Sequence, residues 1–163
     1  MRGLLVAAVV GLLVGCGFHL RGSSVAADVA SAYVREGANV TIGPELNRLL
    51  SQSHVKLLDS TAGAAVVIDL REQQQHTRTL SYTDRATTAE SELSLQVRFA
   101  LIDAAGQVLI DDRWARATRT YLVDTNNLVG SNQQQQLMSR ELVGDVAQQI
   151  IRSLNAATRP KAH

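Results

Sequence analysis

Between Glu90 and Asp103 the chain alternates: Leu93, Leu95, Val97, Phe99 and Leu101 are apolar, while Glu92, Ser94, Gln96 and Arg98 between them are polar. Successive side chains on a strand point to opposite faces, so this run predicts a strand that is dry on one side and wet on the other. The turn Asp103, Ala104, Ala105, Gly106 then returns the chain as VLIDDRWARATRTYLV, the second strand of a hairpin in which Gly106 supplies the permissive backbone. Alternation fails near Asp111 and Asp112, which predicts a bulge. Upstream, in AAVVIDLREQQQHTRTLSY, Val66, Ile68 and Leu70 alternate with Val67, Asp69 and Arg71 before the pattern turns polar, as in a long strand that outruns its core. Tyr33 and Val34 suggest a first strand over Ser31 to Arg35.

Two stretches follow the helical period instead. Gly43 and Pro44 open a short helix over residues 44 to 53, with Leu46, Leu49 and Leu50 on one face. After the loop DTNNLVG, Ser131 and Gln134 form a capping box for a long helix. Its stripe of Leu137, Met138, Leu142, Val146, Ile150 and Leu154 ends near Asn155. The order of elements predicts an α+β fold: a mainly antiparallel sheet of about four strands with two helices packed on one face. The other sheet face is left polar and accessible.

The N-terminus has a different logic. Arg2 and the apolar run Leu4 to Val14, too short to span a bilayer, make an export signal. The residues Leu13, Val14, Gly15 and Cys16 resemble the lipobox of bacterial lipoproteins, in which the cysteine thiol takes a diacylglyceryl group and the amine exposed by cleavage takes an acyl chain. The competing reading is a plain secretory signal with an incidental cysteine. Cys16 is the only cysteine, so a lipidated Cys16 leaves no disulfide. By resemblance to lipoprotein sorting, Gly17 in place of an aspartate implies outer-membrane delivery, facing the periplasm. The expected organisation is a signal peptide over 1–15, a lipidated N-terminus and tether over 16–30, one domain over 31–155, and a disordered tail over 156–163.

Composition removes several function classes. A formal charge of +1 and 4% aromatic residues give neither the basic surface nor the stacking platform of a nucleic-acid binder. His19, His54, His76 and His163 are scattered, with no HExxH pattern, so no metal site is expected. No GxSxG elbow or phosphate-cradling glycine loop exists, and no enzyme is expected. Asp111 and Asp112, as strand neighbours, should face opposite ways; Glu90 and Glu92 share a face, best explained as solvated strand. The glutamine runs at 73 to 75 and 133 to 136 fall within periodic elements. Arg85, Arg113, Arg116 and Arg119 stand out as guanidinium forks suited to phosphate. Solubilising surface charge explains them equally well. Arg113 and Arg119 share strand parity and Arg116 takes the other, unless the bulge resets the register.

The sequence Cys16, Gly17, Phe18, His19, Leu20, Arg21, Gly22 resembles the start of mature members of the LptE family of lipopolysaccharide-assembly lipoproteins. The resemblance extends through a short helix leading to VKLLD, an alternating strand after Ala89 and Glu90, a hairpin, the RTY stretch from Arg119 to Tyr121 and a terminal amphipathic helix. It implies a non-enzymatic outer-membrane lipoprotein that plugs the β-barrel LptD, assists barrel assembly, and binds lipopolysaccharide during its insertion into the outer leaflet. It implies no cofactor beyond the lipid on Cys16. Arg85, Arg116 and Arg119 are the lipopolysaccharide-contacting residues expected on this reading. The alternative from another class is a lipoprotein that scaffolds a different envelope complex without touching lipopolysaccharide.

Overall fold

A computed structural model describes residues 29–82, 88–124 and 126–159. The elements run β1 (Ser31–Glu36), α1 (Gly43–Gln52), β2 (Lys56–Leu57), β3 (Val66–Tyr82), β4 (Thr88–Asp103), β5 (Val108–Asp124) and α2 (Leu128–Thr158). They form one sheet of five strands in the order β2-β1-β3-β4-β5. The α+β class is as expected, with one more strand than foreseen and a sheet that is mixed, its two long ladders antiparallel and its two short ones parallel. β1 pairs parallel with both β2 and β3, whereas β3, β4 and β5 are antiparallel. Parallel neighbours need a crossover, and α1 provides the one between β1 and β2. Two residues of strand are too few to leave a periodic signal, which is why β2 escaped notice.

The alternation in β4 places Leu93, Leu95, Val97, Phe99 and Leu101 at 0% exposure beneath the helices. Ile68 and Leu70 of β3 and Ala115 and Ala117 of β5 continue that layer. The two alanines let α2 approach closely, and Leu142, Val146, Ala147, Ile150 and Leu154 fill the space. α2 packs on β5 and β4 and against α1, and not on the outer part of β3. There Gln75, Thr77 and Thr79 share the face of Leu95, Leu93 and Ser91 yet remain exposed. The strand turns polar where nothing covers it.

Local signals account for the turns. Gly106 has a φ of 80°, and the Asp103 carboxylate accepts from the backbone N–H groups of Ala105 and Gln107. Gly37 is needed for a close approach: its N–H donates to the Leu70 carbonyl at 2.7 Å, and a Cβ there would sit 2.7 Å from the Arg71 carbonyl oxygen. The expected bulge in β5 is present, since Phe99 pairs with Arg113 and Leu101 with Ile110, and Asp112 has a φ of 43°.

α2 begins earlier and ends later than its stripe suggested. The cap is Asn127, whose side chain accepts from the Gly130 N–H, and not the Ser131–Gln134 box. Ser131 is instead occupied with the backbone of Asp124. Leu137 is 46% exposed, so the buried stripe starts at Met138. The helix continues through Thr158, inside the expected tail. The signal peptide, Cys16, most of the tether and Arg85 lie outside the described residues.

Candidate functional site: the open face of the sheet

The helices cover one face only. On the other, a bulge at Arg71 changes the parity of β3, so that Leu70 pairs with Phe99 but Glu72 pairs with Arg98. Beyond it Glu72, Gln74, His76 and Arg78 line up across from Arg98, Gln96, Ser94 and Glu92. β5 adds Trp114, Arg116 and Thr118. A row of side chains crosses the sheet: Gln96 Nε2 donates to Gln74 Oε1 at 2.6 Å, and Arg116 Nε donates to Gln96 Oε1 at 3.0 Å. The row borders a depression of about 380 Å³ that His76, Arg78, Glu92, Ser94, Arg116 and Thr118 also line.

Charge is distributed unevenly along this face. Next to the two bulges, Arg71 bonds Asp69, Asp111 and Asp112, while Arg98 reaches Glu72 at 3.1 Å and Asp112 at 3.5 Å. The hydrogen bond to Asp112, then that to Asp69, raises the pKa of Arg71. Arg98 also sits 5.9 Å from the centroid of the Trp114 ring. Further along, Arg78 pairs with Glu92 at 3.1 Å. Arg116 differs, because its guanidinium rests on the neutral amide of Gln96 and it has no carboxylate partner among the described residues.

The cluster around Arg71 corrects one expectation. Asp111 and Asp112 do not face opposite ways, since both accept from the same Arg71 nitrogen. The left-handed backbone at Asp112 breaks the two-residue alternation on which the expectation rested. Arg71→Ala should therefore lower stability by about 1 kcal/mol, more than a lone surface pair is worth, because three carboxylates lose a shared cation. Urea denaturation at low and high salt checks this, with the difference shrinking in salt.

The expected arginines are not brought together. Arg116 lies on the open face and Arg119 on the helix-covered one, where it bonds Glu141 at 3.4 Å and Asp145. Arg113 keeps the parity of Arg119, as foreseen, and is exposed. Glu90 and Glu92 do share a face, but Glu92 is held by Arg78 and Glu90 lies 3.4 Å from the Ser81 hydroxyl. Among the described residues no group of histidine, cysteine or carboxylate side chains is placed to hold a metal ion. Among them, too, no helix is long and apolar enough to cross a membrane. Sequence reasoning missed the Gln74–Gln96–Arg116 row. Its members share a face only after the Arg71 bulge, which leaves no mark in the residue pattern.

Comparison with known proteins extends these findings. The chain is similar to lipoprotein B from Nitrosomonas europaea, with a TM-score of 0.73, 25% identity, and coverage of 87% of this chain and 92% of that one. It is similar to a minor lipoprotein from Acinetobacter baumannii, with a TM-score of 0.65, 26% identity, and coverage of 83% and 97%. Rare lipoprotein B from Shewanella oneidensis shares the fold, with a TM-score of 0.66, 20% identity, and coverage of 77% and 94%. No curated protein sequence matches significantly. The family described as "LptE: Lipopolysaccharide-assembly" matches residues 25–154, which include every strand and all but the last turn of α2. The chain therefore belongs to the LptE family of lipopolysaccharide-assembly proteins.

Proposed function

We propose that this protein is a non-enzymatic outer-membrane lipoprotein, held by diacylglyceryl and N-acyl chains on Cys16. On this reading it plugs the LptD β-barrel, assists barrel assembly, and binds lipopolysaccharide as that lipid is inserted into the outer leaflet. The family match over residues 25–154 carries the proposal. The open face adds chemical support, since a folded domain with one dry and one polar sheet face has a surface left over for a polar ligand. Three acyl chains suit a lasting attachment, because a single chain holds a protein only marginally.

Of the two expected arginines that the structure describes, Arg116 is better disposed toward a phosphate than Arg119. Exchanging an amide contact for a phosphate strengthens its bonds, whereas Arg119 would first have to leave two carboxylates. Arg116→Ala is expected to weaken lipopolysaccharide binding roughly tenfold, the effect of losing about 1.5 kcal/mol of charged hydrogen bonding. Arg116→Lys should recover only part, because lysine keeps the charge and loses the planar fork.

The experiment titrates the detergent-solubilised full-length protein with fluorescent lipopolysaccharide at two salt concentrations. Wild-type affinity at both for an Arg85, Arg116 and Arg119 triple alanine variant would remove these residues from the proposal. Co-purification separates the barrel from the ligand: LptD should accompany both wild type and the triple variant. Recovery of a different envelope complex in its place would favour the scaffold reading.

A further inference from the structure

β5 is one of the two outer strands of the sheet and runs for 17 residues. A long outer strand directs alternate backbone N–H and C=O groups sideways, where they form a template for another strand. In β5 these belong to the even-numbered residues from Arg116 to Asp124, because the backbones of both ends bond side chains beyond the sheet.

Those side chains come from α2 and follow the edge in order. Gln149 Oε1 accepts from the Arg116 N–H at 3.1 Å and Gln149 Nε2 donates to the Arg116 carbonyl at 2.8 Å. These are the two bonds that a residue of an added antiparallel strand would exchange. At the far end the Ser131 hydroxyl accepts from the Asp124 N–H at 2.9 Å. Between them, Arg119 donates to the Thr118 carbonyl at 3.2 Å while α2 holds its guanidinium through Glu141 and Asp145. The spacings agree: Ser131 to Gln149 rises about 27 Å along the helix, and Asp124 to Arg116 spans about 26 Å of strand.

We propose that this row is a seal, and that the edge beneath it, from Trp114 to Leu122, is a pairing surface for a second copy of this chain that stays closed while Gln149 occupies Arg116. The occupant follows from the side chains. An antiparallel pair with its two-fold axis at Thr118 sets Arg116 against Thr120 of the second copy and Trp114 against Leu122. Trp114 and Leu122 lie on the open face and are 41% and 57% exposed, so the pairing covers apolar surface at both ends. One step further, the left-handed backbone at Asp112 ends the regular strand, and the pairing stops there. No proline or lysine interrupts the window, so the helix supplies the protection that such residues give other edges.

Disulfide trapping tests the proposal on the full-length protein in detergent. Opposed Cα atoms of a bonded pair are about 5.5 Å apart, within disulfide range, so Thr118→Cys reports pairing with the axis at 118. Under mild oxidation the Thr118→Cys, Gln149→Ala protein should form a 118–118 bridge at least tenfold faster than Thr118→Cys alone. The bridge is identified by peptide mass spectrometry, which keeps Cys16 out of the count. Gln149→Leu, which retains the stem against β5 and removes only the amide, should accelerate it similarly. Thr120→Cys lies about 13 Å from its own copy along the strands in this register and should stay slow. Equal rates with and without the Gln149 amide would overturn the proposal. So would acceleration by Gln149→Ala but not Gln149→Leu, or a Thr120→Cys bridge as fast as that of Thr118→Cys.

Discussion

Phe99→Asp is expected to abolish the cooperative fold. Phe99 is among the largest fully buried side chains, at 0% exposure, on the central stretch of β4 with Leu70 and Arg113 as its strand partners. Deleting a buried phenylalanine ring costs about 3 to 5 kcal/mol, and an unpaired carboxylate in its place adds several more. Together these reach the whole stability of a small domain, about 5 to 15 kcal/mol. Val97→Asp should act similarly, since Val97 occupies the same dry face at 0% exposure. Ser94→Asp, on the wet face of the same strand, should cost less than about 1 kcal/mol. Circular dichroism melting of the three variants checks the set. A wild-type transition for Phe99→Asp would mean that β4 turns its other face to the core.

Cys16→Ala should eliminate lipid attachment altogether. Alanine offers no sulfur to form the thioether, and Cys16 is the only cysteine, so no second thiol can substitute. An unmodified lipobox also blocks the cleavage that would expose the amine, so the variant should retain residues 1–15. Each acyl chain contributes about 0.8 kcal/mol per buried CH₂, which makes the loss of all of them a change of many orders of magnitude in membrane retention. Labelled palmitate incorporation and membrane fractionation measure both effects. Incorporation at the normal level in Cys16→Ala would refute the assignment of the anchor.

How much could be read from the residues alone varies with the range of the interaction. β4 was legible because each core residue sits two positions from the next, and a period of two survives any register of pairing. The short helix was legible from Pro44 and its leucines, and the observed Gly43–Gln52 differs by a residue at either end. The cap of α2 was misread because two candidates compete within five residues. Asn127 bonds Gly130 at the helix start, while Ser131 is drawn to the end of β5. Which serine or asparagine caps depends on where the preceding strand stops, and that is set by pairing with β4.

Alternation, periodicity and the family-like opening motif were properties of neighbouring residues, so the sequence by itself determined the α+β class, the dry face of β4 and the family. The relation between Arg116 and Arg119 was a matter of parity and also legible, but the partners of each were not. Only the tertiary structure decided that Arg119 meets Asp145 of α2, that Arg116 rests on Gln96, and that Arg71 gathers Asp69, Asp111 and Asp112. All of these contacts but Arg71–Asp69 span 20 to 41 residues of chain, and they depend on two bulges that shift register by one position. A one-residue shift moves every later side chain to the other face of a strand, and nothing in local composition announces where it occurs.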